Sequence, residues 1–90
     1  MRKTSRELER IIKGFANHRR LQILELLGKK PELSVMEVAA EIKSDAKNVS
    51  AHMNKMAIAG LVMKRHDINL VRHKLTRRGK SILQFVRIIE

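Results

Sequence analysis

The sequence predicts a mainly α-helical domain with one small β-hairpin, its elements ordered helix, helix, helix, helix, hairpin, helix. Three observations carry this. Apolar residues recur at helical spacing in successive segments before Ala59-Gly60, the period shortens to that of strands beyond that pair, and helical spacing returns after Thr76. The 90 residues suffice for one compact domain and not for two. No repeat, low-complexity tract or Pro/Gly/Ser-rich linker divides them, so residues 1–90 read as a single domain.

In the first segment Leu8, Ile11, Ile12 and Phe15 form one stripe, giving a helix from about Ser5 to Gly14 or slightly beyond. Asn17 can cap a second helix by accepting from a free first-turn amide, and Leu21, Leu24 and Leu27 follow it. Gly28 reads as the stop of that helix, in a connection that also holds Lys29, Lys30 and the lone proline, Pro31. Ser34 followed by Glu37 is a capping box, so a third helix starts there and buries Val35, Val38, Ala39 and Ile42. Asp45 caps a fourth helix to about Ile58, its carboxylate suiting the positive end of the helix dipole. Only Lys43 and Ser44 separate the third and fourth helices, which forces a sharp angle between them. Two strands, Leu61 to Arg65 and Leu70 to Leu75, then flank His66-Asp67-Ile68-Asn69 as a hairpin with a polar, basic tip. Thr76 caps a final helix through about Ile89, with Gly79 an unfavourable residue near its start.

Charge narrows the class of function. Lys and Arg number 20 against 9 Asp and Glu, a formal net charge of +11, which points to a polyanionic partner such as nucleic acid or an acidic membrane surface. The absence of cysteine excludes disulfides, thiolate metal sites and thiol nucleophiles, and fits a cytoplasmic protein. No apolar run reaches membrane-spanning length, and Met1-Arg2-Lys3-Thr4-Ser5-Arg6 leads into mixed charge rather than the apolar centre of a signal peptide. No phosphate loop, paired-carboxylate site or Ser/His/Asp arrangement stands out, so an enzyme is not expected and no catalytic residue is assigned. The histidines, at 18, 52, 66 and 73, include no pair at the i, i+4 spacing of a helical zinc site, and His52 reads as a boundary residue beside the core.

At about 100° per residue, the fourth helix turns Val49, Met53 and Met56 inward and Lys47, Ala51, Asn54 and Ile58 outward. Ser50 and Lys55 flank the outward side and Asn48 lies near its other margin. A short helix with such a face fits the DNA major groove, whose base edges Lys and Asn can read. Taken alone, these residues describe a solvated helix face better than a DNA-reading one. The charge distribution favours DNA: from Lys43 to Lys80 there are ten Lys or Arg against two acids, Asp45 and Asp67. Cations along a groove release condensed counterions and supply the sequence-independent part of the affinity. On the hairpin, Lys64, Arg65, His66 and Arg72 are placed to grip the flanking backbone or the minor groove.

Arg20-Leu21-Gln22-Ile23-Leu24, Leu33-Ser34-Val35-Met36-Glu37-Val38-Ala39, Val49-Ser50-Ala51-His52-Met53 and Ala59-Gly60-Leu61-Val62, in that order and spacing, resemble the ArsR-type winged helix-turn-helix repressors. The resemblance runs from about residue 10 to residue 79. It implies that residues of about 34–58 form the helix-turn-helix, that about 61–75 form the wing, and that the terminal helices, about 5–15 and 76–89, form a dimer contact. Lys47, Ser50 and Ala51 match family positions that usually face DNA; Ala51 replaces the Arg or His often found there, leaving apolar contact with a thymine methyl group. Metal sensors of the family often carry a Cys-x-Cys pair where this chain has Ser34 and Met36, and others use Asp and His in the last helix, where Ser81 to Ile89 offers neither. No metal or cofactor is therefore expected.

In the last helix Ile82, Leu83, Phe85, Val86, Ile88 and Ile89 spread over about 220°, wider than the stripe of roughly 100° that one core needs. Together with Leu8, Ile11, Ile12 and Phe15 they predict a homodimer presenting two recognition helices to successive major grooves; the alternative buries both helices within one protomer. A membrane-surface role is disfavoured by the few cations on the polar side of the last helix. The sequence thus predicts a homodimeric regulator of double-stranded DNA, a repressor by family resemblance, with Lys47, Ser50, Ala51 and Asn54 facing bases. Lys43, Lys55, Arg65 and Arg72 are assigned to phosphates, with Asn48 and His66 in the same interface. The competing readings are a protein-interaction module and an architectural DNA binder without sequence preference.

Overall fold

The computed structural model describes residues 2–90. Its elements are α1 (Ser5–Lys13), α2 (His18–Lys29), α3 (Val35–Ile42), α4 (Ala46–Ile58), β1 (Val62–His66), β2 (Val71–Leu75) and α5 (Arg77–Ile89), in the predicted order. Every helix opens on a short polar side chain that satisfies first-turn amides. Asn17 Oδ1 accepts from Arg19 and Arg20 at 2.9 and 3.3 Å, and Asp45 Oδ1 from Lys47 and Asn48 at 2.7 and 3.1 Å. Ser34 and Glu37 form the reciprocal capping box, each accepting the other's amide. A second box, Thr4 with Glu7, starts α1 and was not anticipated from the sequence. Thr76 Oγ1 accepts from the Gly79 amide and donates to the Gly60 carbonyl, so one side chain caps α5 and ties it to the end of α4. Each such cap contributes about 1 kcal/mol.

Gly28 does not stop α2. The helix runs through it to Lys29, and a Cβ at this position would lie 2.4 Å from Leu83 Cδ2. The glycine answers to close approach of α5, not to helix termination. Gly79 has the same explanation: its Cβ would sit 2.1 Å from the Leu61 carbonyl oxygen, and the residue is buried where α5 begins.

Both strands start one residue later than predicted. Leu61 still belongs to the end of α4, its amide donating to the Met56 carbonyl at 2.9 Å past Gly60 in left-handed conformation. The Leu70 carbonyl closes the hairpin tip by accepting from the Asp67 amide. The strands pair antiparallel with Val62 opposite Leu75, Lys64 opposite His73 and His66 opposite Val71. Leu33 adds a single antiparallel bridge to His73, a third line of the sheet not evident in the sequence.

The core joins Ile23, Leu24 and Leu27 of α2, Val38 of α3, Val49, Met53 and Met56 of α4, and Leu61, Val62, Leu75 and Leu83 beyond them. Val35 and Ile42 are only half-buried at its edge. No residue of α1 is buried. The predicted dimer residues divide accordingly: Leu8, Ile12, Phe85 and Ile89 are exposed, Ile11 and Ile82 pack partly on the core, and Val86 is half-buried. Phe15 corrects the prediction. It lies in the connection after α1 and is 8% exposed, so the protomer's own core consumes it and little remains for a second subunit.

Candidate nucleic-acid interface

The turn between α3 and α4 sets the angle of the reading helix. Lys43 takes the left-handed conformation at φ 54°, ψ 49° and its amide caps α3 on the Ala39 carbonyl; Ser44 donates to the same carbonyl at 3.0 Å. Arg19, at the start of α2, donates to the Ile42 carbonyl at 3.1 Å and fastens the turn from behind. α4 then divides as its spacing requires. Val49, Met53 and Met56 are fully buried, while Lys47, Asn48, Ala51, Asn54 and Lys55 are exposed and Ser50 is half-buried. With Lys43 exposed at the turn, the structure brings these candidates onto one surface of the helix-turn-helix.

The hairpin continues that surface. Lys64 Nζ donates to Asn54 Oδ1, joining β1 to α4 side chain to side chain. The amide oxygen of Asn54 is thereby engaged, and the residue remains exposed. Arg65 and His66 are exposed on β1, but Arg65 Nε pairs with Glu32 Oε1 at 2.8 Å. Arg72 is committed more deeply: Nε pairs with Asp67 Oδ2 at 3.2 Å and an Nη donates to the Glu32 carbonyl at 3.1 Å. Two of its N–H groups brace the wing, leaving it less free for phosphate than its sequence position suggested. The Ile68 amide and then Arg72 hold the Asp67 carboxyl below the ordinary carboxylate range, which keeps the tip ion pair charged.

Glu32 is the organising residue that sequence reasoning missed. In left-handed backbone at φ 71°, it donates its amide to the His73 carbonyl at 2.9 Å, accepts Arg72 on its own carbonyl and pairs with Arg65. Arg65 and Arg72 lie 33 and 40 positions away, so no local pattern announces them. His73 is buried, its ring nitrogen Nδ1 donating to the Leu33 carbonyl at 3.0 Å. Burial pushes its imidazole pKa down, the Leu33 carbonyl partly opposes this, and the Lys64 charge adds to the depression.

Arg20 was read as part of a motif without a role. It is 8% exposed, with one Nη donating to the Lys13 carbonyl at 3.3 Å and the other 3.5 Å from His52 Nδ1. It thereby joins the end of α1 to α4. His52 sits at the core boundary as expected, its pKa lowered first by burial and then by the Arg20 charge. Among the described residues no three His, Asp or Glu side chains gather as a metal-ligand set, and no helix is long and apolar enough to cross a membrane.

The geometry can be set beside known proteins. The chain matches the bacterial regulatory proteins of the arsR family over residues 17–64, more than half of its length. No curated protein matches it by sequence. Among solved structures, HlyU from Vibrio cholerae is 30% identical with a TM-score of 0.83, covering 99% of this chain and 97% of its own. The transcriptional regulator HlyU from Vibrio vulnificus is also 30% identical, with a TM-score of 0.77 over 94% of this chain and 88% of that one. Mb0332 from Mycobacterium bovis, described as a homodimeric winged helix-turn-helix DNA-binding domain, shares the fold at 24% identity and a TM-score of 0.84, over 97% and 86% of the two chains. The family match, which covers α2, α3, α4 and the start of β1, together with the capped α3–α4 pair and the wing tied to α4 through Asn54, makes this chain a member of the ArsR family of bacterial regulatory proteins, with the winged helix-turn-helix fold.

Proposed function

We propose that this protein is a homodimeric transcriptional regulator that reads double-stranded DNA with α4 in the major groove and holds the flanking backbone with its wing. The observation that carries the proposal is the continuous cationic surface from Lys43 through α4 to β1, bridged by the Asn54–Lys64 hydrogen bond. In this reading Lys47, Ser50, Ala51 and Asn54 meet base edges with Asn48 beside them, while Lys43, Lys55, Lys64, Arg65 and His66 lie along phosphates. Arg72 contributes mainly by keeping the wing in shape. The net charge of +11 raises the encounter rate with DNA and makes affinity fall steeply with salt.

The dimer surface is proposed on α1 and α5, where Leu8, Ile12, Phe85 and Ile89 are exposed together with Ile88. Ile11, Ile82 and Val86 complete its margin. Mb0332 being homodimeric supports this assignment. Repression is the role that the family resemblance implies, and the absence of cysteine fits a cytoplasmic setting.

Lys47 supplies the test because its side chain is exposed and forms no hydrogen bond or ion pair among the described residues. Lys47→Glu is expected to leave thermal stability within about 0.5 kcal/mol of the parent. It should weaken DNA binding by roughly 1–3 kcal/mol per protomer, measured by fluorescence anisotropy. Unaltered affinity rejects the assignment of α4.

A further inference from the structure

A groove framed by α1, the C-terminal end of α4 and the first turn of α5 has a chemistry that DNA reading does not use. It encloses about 500 Å³. Ile11 and Ala59 form an apolar floor, Ile58 stands at its edge, and Lys3, Arg10 and Arg78 are on the rim. Ile58 is 88% exposed, an apolar side chain left to water at the groove. Among the described residues Lys3, Arg10 and Arg78 form no ion pair. Glu7, the one acid of the lining, accepts the Thr4 amide on Oε1 at 2.9 Å and is held charged by that bond and then by Lys3 and Arg10, so the rim keeps a net excess of cations. Arg78 is fixed in place by donating to the Ala59 carbonyl at 2.9 Å.

Of the other grooves, one of about 610 Å³ beside α3 is lined mainly by Lys30, Glu37, Glu41 and Lys43, and one of about 540 Å³ between α2, β2 and α5 is also less suited to an apolar guest. Its lining is more polar than apolar, and its Arg87 is already paired with Glu25 at 3.1 Å. In the α1–α4 groove, apolar surface and an excess of cations over the single acid occur together. α1 buries no residue of its own, so a guest seated there gains contact with both helices.

We propose that this groove binds an organic anion with an apolar body, an aliphatic or aryl carboxylate or sulfonate. The body rests on Ile11, Ile58 and Ala59, and the acid group lies between Lys3, Arg10 and Arg78. The site goes beyond the DNA-binding reading and stands without it, although Lys55, assigned above to phosphate, and Ile58 of α4 also line it and Ile11 borders the proposed dimer surface.

The test is a titration of the full ¹⁵N-labelled chain, free of DNA, with 1-naphthalenesulfonate, followed by amide shifts in two-dimensional NMR. Saturable shifts are expected at Ile11 to Gly14, Ile58 to Gly60 and Arg78, with a dissociation constant below about 1 mM. Sulfate and the neutral 1-naphthalenemethanol are expected to bind at least about tenfold more weakly, because each supplies half of the required chemistry. Lys3 and Arg10 are exposed, so the double variant Lys3→Glu with Arg10→Glu should keep the parent's spectral dispersion and lose about tenfold in affinity. Four results overturn the proposal: no saturation by about 5 mM, shifts centred on Lys74 to Arg87 or scattered over the basic surface, binding by sulfate as tight as by the sulfonate, or undiminished affinity in the double variant. With DNA absent from the sample, none of these bears on α4 as a reading helix.

Discussion

Replacing Glu32 by Gln should make the protein bind DNA more tightly while making it slightly less stable. Glu32 Oε1 holds Arg65 Nε at 2.8 Å, but the two side chains retain 35% and 54% exposure, so water and salt screen the pair. An exposed pair of this kind contributes no more than about 1 kcal/mol. The other carboxylate oxygen is buried without a hydrogen-bond partner, which reduces the net value of the charge further. The backbone work of Glu32, its amide to His73 and its carbonyl to Arg72, survives the substitution. The melting temperature should therefore fall by no more than about 4–8 °C. On the DNA side, each Arg65 released to a phosphate steepens the slope of log affinity against log salt by about 0.9, hence by roughly 1.8 for a dimer. Removing one acid per protomer from the wing also removes repulsion, for a combined gain of roughly threefold to tenfold at moderate salt. Anisotropy titrations on a labelled duplex between about 50 and 200 mM salt measure both quantities. Circular dichroism follows stability, since the chain has no Trp or Tyr. In an Arg65→Ala background the Glu32→Gln gain should shrink. Affinity that falls, or a slope that does not move, refutes the argument that Glu32 competes with phosphate for Arg65.

Three further outcomes are expected. Gly79→Ala places a Cβ 2.1 Å from the Leu61 carbonyl oxygen, a backbone atom that cannot rotate away, whereas Gly28→Ala meets the movable tip of Leu83 at 2.4 Å. Gly79→Ala should cost about 1–3 kcal/mol or more and Gly28→Ala close to nothing, its clash offset by better helix propensity; denaturant melts giving the reverse order would contradict the packing described. Half-buried His52 and buried His73 have pKa values held below the ordinary 6.5, so the unfolded chain binds their protons first. Stability from both is fully present above that value and declines as pH falls from it through the lowered folded pKa values, and a melting temperature unchanged over this interval would count against neutral, buried imidazoles. Finally, Phe85 is 49% exposed on α5, and Phe85→Asp should give a folded monomer by light scattering with much weaker DNA binding; a persistent dimer would move the interface elsewhere.

How far the fold could be read from the sequence depended on whether a signal was local. The caps at Asn17, Ser34, Asp45 and Thr76 act within three residues of themselves, and each was legible and observed. The inward face of α4 was legible because Val49, Met53 and Met56 repeat at helical spacing, and the same wheel left Lys47, Ala51 and Asn54 outward. Where a residue serves a distant partner, the local signal misled. Gly28 looked like a helix stop and is instead a contact for Leu83; Phe15 looked like the end of a dimer stripe and is instead core.

The wing illustrates the same limit at the candidate site. Its cations were countable from composition, but not which of them are spent inside the protein. Arg72 is held by Asp67 and the Glu32 carbonyl, and Arg65 by the Glu32 carboxylate. The residue controlling both lies in the connection before α3, in a backbone conformation that its side-chain type does not suggest. The groove beside α1 was equally hidden, since it brings Lys3 and Arg10 together with Arg78 from the far end of the chain.

The central claim is that two copies of α4 read DNA sequence. Its most direct test is selection of bound duplexes from a random-sequence pool at near-physiological salt. Enrichment of an inverted repeat is expected, its half-sites about one helical turn, roughly 10 base pairs, or a multiple of it apart. Salt-sensitive binding without enrichment would instead indicate an architectural binder, and no binding at all would leave a protein-interaction module; either result contradicts the account.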